Sequence, residues 1–266
     1  MQKTFRFGWG FVLLILSLAA VGGCGAKKSR LSVAGSTSVQ PIAEMLAEDY
    51  LKKHPQAVVN VQGGGSSAGI KAAKDGTVAV GMSSRELTPE EAAGLTVVEI
   101  ARDGIAMIIH PENNVTNLTL DQLRDIYSGK INNWAQVGGN NAAILVVNRE
   151  AGSGTRGAFT EIVMGETSLA KTIVQGSTGA VRQTVSGDRN AIGYISLAAL
   201  DSKVKALRVN GAACDVAAIK AQKYQVVRPF VFVYKKPGSP EVKEWIKYVL
   251  NEGQKIIVAN GLIAIK

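Results

Sequence analysis

Three short runs of glycine and hydroxyl residues constrain this chain more than anything else in it: Gly35-Ser36-Thr37-Ser38, Gly63-Gly64-Gly65-Ser66-Ser67 and Gly152-Ser153-Gly154-Thr155. Each follows a strand-like stretch and precedes a helix-like one. Glycine lets backbone come close to a ligand, and a helix start offers unpaired N–H groups and a positive dipole end. Serine and threonine add neutral donors. One such run is an ordinary turn; three of them, with Arg149 just ahead of the third, read as a cage for a small oxyanion. The competing reading of Arg149 is a salt bridge at a surface or a domain interface.

The order of elements gives the frame for this cage. Residues 31–34 form a short apolar strand, and Val39, Ile42, Leu46 and Tyr50 follow at helical spacing, with Pro41 suited to a first turn. Residues 57–61 are a β-branched strand, 70–74 a short helix stopped by Gly76, and 78–82 a further strand leading into Ser83-Ser84. Strand, loop and helix in this alternation predict an α/β fold with parallel strands, whose ligands gather at the carboxyl ends. The apolar stretches 97–100 and 105–109 follow. Thr119 and Gln122 then form a capping box for a helix. Residues 144–148 make a strand ending at Arg149, with a helix carrying Phe159, Ile162 and Val163 beyond it. A third α/β step covers 178–195, residues 226–234 read as a strand, and 240–261 as one helix with Val242, Trp245, Ile246 and Val249 on a face. No repeat or low-complexity linker marks a boundary. That suits a domain entered and left by two strands, with crossings expected near 105–110 and 226–231.

The chain begins as an export signal does: Lys3 and Arg6 precede an apolar stretch, and small residues precede Cys24. The apolar core is short for a membrane span, which takes about 20 residues. Val21-Gly22-Gly23-Cys24 resembles a bacterial lipobox, which implies a signal peptide over 1–23, lipidation of Cys24 and a basic tether over 24–30 near anionic headgroups. The other possibilities are an uncleaved anchor or a plain secretory signal. Cys24 and Cys214 are the two cysteines, and Cys214 reads as a packing residue. His54 and His110 are far apart and each precedes a proline, so no metal site is expected, and nothing calls for a cofactor. The net charge of +9 is spread over singly placed Lys and Arg with 6% aromatics and no nucleic-acid motif, so nucleic acid is not expected as a partner. The excess charge would speed the arrival of an anion.

Two motif matches compete for the second glycine run. Gly65-Ser66-Ser67-Ala68-Gly69 satisfies the nucleophile-elbow pattern of serine hydrolases, with Ser67 as nucleophile, but the only histidine after it, His110, follows too closely for the usual triad spacing. Gly63, Gly65 and Ala68 fit a loose dinucleotide fingerprint, although that motif usually opens its fold and here a strand, hydroxyl loop and helix come first. Asn132-Asn133-Trp134 has the makeup of a sugar patch, but a packed tryptophan is the simpler reading.

Taken together, residues 34–41, 62–67, 80–87 and 148–156 resemble the phosphate-binding proteins of high-affinity phosphate ABC importers, the PstS type. Residues 118–134, Ala191-Ile192-Gly193-Tyr194 and Arg228-Pro229 fit as well, so the resemblance spans nearly the whole chain after the export segment. It implies a two-lobed periplasmic-binding-protein fold of type II with two hinge-crossing strands, lobe 1 from 31–107 and 228–266 and lobe 2 from 108–227. It also implies a monomeric, lipid-anchored, extracytoplasmic receptor that is not an enzyme and serves a permease. Thr37, Ser38, Ser66 and Ser84 would hold phosphate from one lobe, and Arg149, Ser153, Gly154 and Thr155 from the other. Ser84 stands where well-known members place an aspartate, and Ala151 aligns with a second one, beside which Glu150 is available. Selectivity for phosphate over sulfate is thereby left open, with another oxyanion or a sensing role as alternatives and a hydrolase using Ser67 as a further one.

Overall fold

The computed structural model describes residues 29–265. The export segment and Cys24 lie outside the described residues. β1 (Ser29–Gly35), α1 (Gln40–Lys53), β2 (Ala57–Gly63), α2 (Ser66–Asp75) and β3 (Val80–Ser83) form two parallel crossover units, with strand order β2-β1-β3. β1 takes in Ser29 and Arg30, which sequence assigns to the tether, because their backbone pairs with Ala57 and Val58. After α3 (Pro89–Ala92), β4 (Leu95–Ile109) runs for 15 residues. It is followed by β5 (Asn117–Leu118), α4 (Leu120–Tyr127), β6 (Leu145–Arg149), α5 (Gly154–Phe159), β7 (Ile173–Gln175), α6 (Thr178–Gly187) and β8 (Ala191–Ser196). The short strands β9 (Lys205–Ala206) and β10 (Arg208–Val209), then α7 (Val216–Lys220), lead to β11 (Val227–Lys235), α8 (Pro240–Leu250) and α9 (Gln254–Ala259).

Among the described residues one curled sheet runs β2-β1-β3-β11-β4-β8-β6-β7, with β9 added on β4. It serves two cores. One is built by Leu31, Val33, Ile42, Leu46, Tyr50, Phe230, Phe232, Trp245 and Val249, the other by Ile105 to Ile109, Leu123, Trp134, Phe159, Val181, Ile192 and Tyr194. The helical spacing read from the sequence is the spacing that fills them: Val242, Trp245, Ile246 and Val249 of α8 are all buried. The Thr119–Gln122 capping box is formed at the start of α4. Trp134 is packed, its indole N–H donating to the Asn190 carbonyl at 2.9 Å, which disposes of a sugar platform there.

Two elements differ from the sequence reading. The stretches 97–100 and 105–109 are one strand, because the charge and glycine that look like a break, Asp103 and Gly104, are inside the molecule. Asp103 lies opposite Arg228 in the β4–β11 ladder, and both side chains are fully buried. Arg228 donates to Asp103 Oδ2 from Nη2 at 2.9 Å and from Nε at 3.0 Å, while Ser196 donates to Oδ1 at 2.8 Å. Burial pushes the Asp103 carboxyl up and the Arg228 guanidinium down from their ordinary values, and each charge pulls the other back. Removing one partner of such a pair costs about 3–5 kcal/mol, since the other charge stays buried alone. The second difference is at the C-terminal end, where α8 stops at Leu250 and α9 starts at Gln254. Gly253 sits in the gap, where a Cβ would stand 2.7 Å from Leu46 Cδ2.

Cys214 packs against Gly104 on the far side of the same strand: a Cβ at Gly104 would stand 2.8 Å from its sulfur. Burial pushes the thiol up to about 12, so the nucleophilic thiolate is scarce at neutral pH. Iodoacetamide at pH 8 is therefore expected to leave Cys214 unmodified in the folded protein and to label it fully in guanidinium, read by peptide mass spectrometry. Rapid labelling of the native protein would contradict the packing described.

Candidate ligand-binding site

Five strands end at one place. β1, β2 and β3 run parallel to each other, as do β6 and β7, and their carboxyl ends deliver Ser36 to Ser38, Gly64 to Ser66, Ser84, Arg149 and Ser177-Thr178. Four helices, α1, α2, α5 and α6, start within a few residues of those ends. Gly65 takes φ +92°, a conformation glycine reaches freely, and turns the chain from β2 into α2 so that Ser66 points inward. Ser153 caps α5, its hydroxyl accepting from Arg156 N–H, and Ser177 caps α6 through Ala180 N–H. The first N–H groups of each helix have no intrahelical partner, so the positive ends of four helices face a common space.

The two cores meet across that space through hydroxyls. Ser38 Oγ lies 2.9 Å from Thr155 Oγ1 and 2.8 Å from Thr178 Oγ1, and Thr37 Oγ1 lies 3.4 Å from Thr178 Oγ1. Ser36 donates to Ser84 Oγ at 2.9 Å, and Ser84 N–H donates to Ser66 Oγ at 3.2 Å. The Ser67 N–H reaches across to the Gly152 carbonyl at 3.1 Å. Gly154 faces Ser66 and Ser84 so closely that a Cβ on it would stand 2.2 and 2.7 Å from their hydroxyl oxygens. Ser36, Ser38, Ser66, Ser84, Ser153, Thr155 and Thr178 are buried, and Thr37 is half-buried.

Arg149 enters from β6 with 1% of its surface exposed. Glu150 receives its Nε and Nη2 groups in a two-point pair at 2.8 Å each. The remaining contacts run to Thr178 from Nη1 at 3.2 Å and to Thr37, on the opposite side, from Nη2 at 3.1 Å. One of five guanidinium N–H groups is left for a further acceptor. Behind it, the Asn148 side-chain carbonyl accepts from Arg149 N–H at 2.8 Å and from the Tyr194 hydroxyl. Tyr194 stacks on Phe159 of α5 at 4.3 Å, so strand end and helix start are braced against each other. The carboxylate beside the arginine is thus Glu150, while Ala151 is exposed.

All eight expected site residues, Thr37, Ser38, Ser66, Ser84, Arg149, Ser153, Gly154 and Thr155, line or border this space. Ser153 does so as the helix cap, with its own N–H taken by the Glu150 carbonyl at 3.0 Å. Ser36 and Thr178 were missed. Ser36 belongs to a run already singled out, and Gly176-Ser177-Thr178-Gly179 is a fourth run of the same composition, hidden because β7 before it is three residues long and half open to solvent. Ser67, the hydrolase candidate, accepts from Arg85 Nη2 at 3.2 Å, and Arg85 is itself paired with Glu91 at 2.7 Å. His110 instead accepts from Glu112 N–H and His54 stacks on Tyr50. Among the described residues no cluster of His, Cys, Asp or Glu is arranged to hold a metal ion.

A sheet whose parallel strand ends from two cores face each other across a closed cleft, with both crossings made by paired strands, defines a bilobal solute-binding protein. The family model for the PBP superfamily domain matches residues 23–252. The chain is 44% identical to a phosphate ABC transporter substrate-binding protein from Clostridium perfringens, solved with bound phosphate, at a TM-score of 0.87 over 90% of this chain and 100% of that one. It is 38% identical to an ABC-type phosphate transport receptor from Vibrio cholerae, with a TM-score of 0.74 over 89% and 100% of the two chains. The phosphate-binding protein PstS of Bacillus subtilis is 30% identical over 86% of this chain and 78% of its own length. The chain belongs to the PstS-type family of periplasmic binding proteins.

The closeness at Gly154 yields a separable outcome. Gly154→Ala would press a methyl group into the Ser66 and Ser84 hydroxyls, and overpacking of this kind costs about 1–3 kcal/mol, so the melting temperature of the unliganded protein should not rise. Its methyl group would hold the two sides apart, and calorimetry should show affinity for a tetrahedral oxyanion falling at least about tenfold.

Proposed function

We propose that this protein captures inorganic phosphate outside the cytoplasmic membrane and delivers it to an ABC importer by closing two lobes around the anion. The observation that carries this reading is the meeting of buried hydroxyls from both cores around the Arg149 guanidinium, with four helix starts aimed at the same space. The lobes are 31–107 with 228–266, and 108–227, joined where β4 and β11 cross. Thr37, Ser38, Ser66 and Ser84 hold the anion from the first lobe, together with Ser36. Arg149, Ser153, Gly154 and Thr155 hold it from the second, together with Thr178. Relatives named for phosphate binding and transport, and the phosphate in the Clostridium perfringens protein, support the choice of ligand.

The magnitudes are adequate. Helix starts contribute up to about 2 kcal/mol each, and charge-assisted hydrogen bonds about 1.5–3 kcal/mol each. A few of these exceed the roughly 8 kcal/mol of micromolar binding, which leaves room for desolvation and closure. Because donors lie on both lobes, the ligand favours the shut form, and the importer reads that form. Ser84 and Ser66 can donate to an ionised oxygen or accept a hydrogen bond from the P–OH of hydrogen phosphate, so the cage suits either protonation state. A hydroxyl does not repel sulfate as a carboxylate would, and the ranking of phosphate, sulfate, arsenate and molybdate is set by these serines. The protein acts as a monomer, held to the membrane by lipid on Cys24. It binds its ligand without chemistry, Ser67 being occupied with Arg85.

Arg149→Ala should fold normally and lose at least about a hundredfold in phosphate affinity, the equivalent of roughly 3 kcal/mol for a buried charge-assisted contact. Calorimetry with phosphate, and competition by sulfate across pH, reads this out; unchanged affinity would remove the guanidinium from the site. For the anchor, Cys24→Ala should abolish incorporation of labelled palmitate and move the protein from the membrane fraction to the medium or periplasm.

A further inference from the structure

The Asp103–Arg228 pair lies where β4 changes partners. Up to Gly104 the strand pairs with β11, and from Ile105 it pairs with β8. The Asp103 carboxylate faces both sides of this change: Oδ2 takes the Arg228 fork from β11, and Oδ1 takes the Ser196 hydroxyl from the end of β8. Arg228 then extends a third nitrogen, Nη1, to the Ser84 carbonyl at 3.3 Å. Ser84 is the residue whose N–H meets Ser66 and whose hydroxyl meets Ser36. Through its contact with the Ser84 carbonyl the Arg228 guanidinium stands directly behind the cage. A bend at the crossing cannot proceed without moving Ser196, Asp103, Arg228 or Ser84 relative to the others.

We propose that Arg228, backed by Asp103, is a positioning residue for the phosphate site: it sets the Ser84 segment and ties its position to the angle of the hinge. The inference rests on the reading of the cleft as a phosphate site. A lysine at 228 keeps the charge but gathers its donors on one nitrogen, which cannot reproduce the two-point grip on Asp103 and the separate reach to the Ser84 carbonyl. Its effect on binding passes through Ser84, so the two residues are energetically coupled although Arg228 touches no ligand.

A double-mutant cycle tests this, with phosphate calorimetry on wild type, Arg228→Lys, Ser84→Ala and the double variant, well below their melting temperatures. Arg228→Lys is expected to weaken phosphate binding about tenfold or more. In the Ser84→Ala background the same change should cost threefold or less. Small-angle scattering should show less compaction at saturating phosphate for Arg228→Lys than for wild type. Wild type that fails to bind phosphate would sink the parent reading. Wild type that binds, with Arg228→Lys unchanged in affinity or with fully additive effects, would overturn this inference alone. Should Arg228→Lys fail to fold, Ser196→Ala, which removes the tie of Asp103 to β8 together with the cap on Ala198 N–H, takes its place in the cycle under the same criteria.

Discussion

A guanidinium buried between two halves of a chain must be held in place before it can receive an anion, and here the Arg149–Glu150 pair does the holding. The carboxylate fixes two edges of the plane, and Thr178 and Thr37 take two more N–H groups, one from each side of the cleft. Everything else in the site is built around that plane. Asn148 and Tyr194 support it from behind, and the hydroxyls of Ser38, Thr155 and Thr178 close over its edge. An arginine so arranged is already pre-organised, which reduces the ordering cost that a flexible cation would impose on binding.

The pairing has an electrostatic consequence. Of four arginines that contact cage segments, three have a carboxylate of their own, Arg149 with Glu150, Arg85 with Glu91 and Arg228 with Asp103, while Arg156 donates to the Arg149 carbonyl at 3.1 Å. Three of these four charges are therefore matched before any ligand arrives. Attraction for an anion then falls to oriented N–H groups, hydroxyls and helix ends, whose fields act over short range. Such donors discriminate by fit and desolvation more than by net charge. The overall excess of positive charge acts at longer distance and belongs to the rate of encounter.

Much of this was legible beforehand, for local reasons. Turns from strand to helix need glycine and favour hydroxyl caps, so the runs at 35–38, 63–67 and 152–155 announced the strand ends without knowledge of tertiary structure. The capping box at Thr119 was readable on the same ground. What escaped depended on partners far away in the chain. Asp103 looks like a strand breaker until Arg228, 125 residues on, is brought opposite it. The split between α8 and α9 falls at Asn251, whose backbone leaves the helix, and brings Gly253 up against Leu46 of α1. Thr178 escaped for a different reason: its composition matched the other runs, but β7 is too short and exposed to read as a strand.

β1 has a direction that matters for how such a receptor is mounted. The chain enters it at Ser29, and six residues later, about 20 Å along, it leaves at Gly35 into the cleft. Ser29 therefore lies at the end of β1 away from the cleft. Under the anchoring proposed above, the mouth would face away from the bilayer, and the receptor would have to turn over to meet its importer.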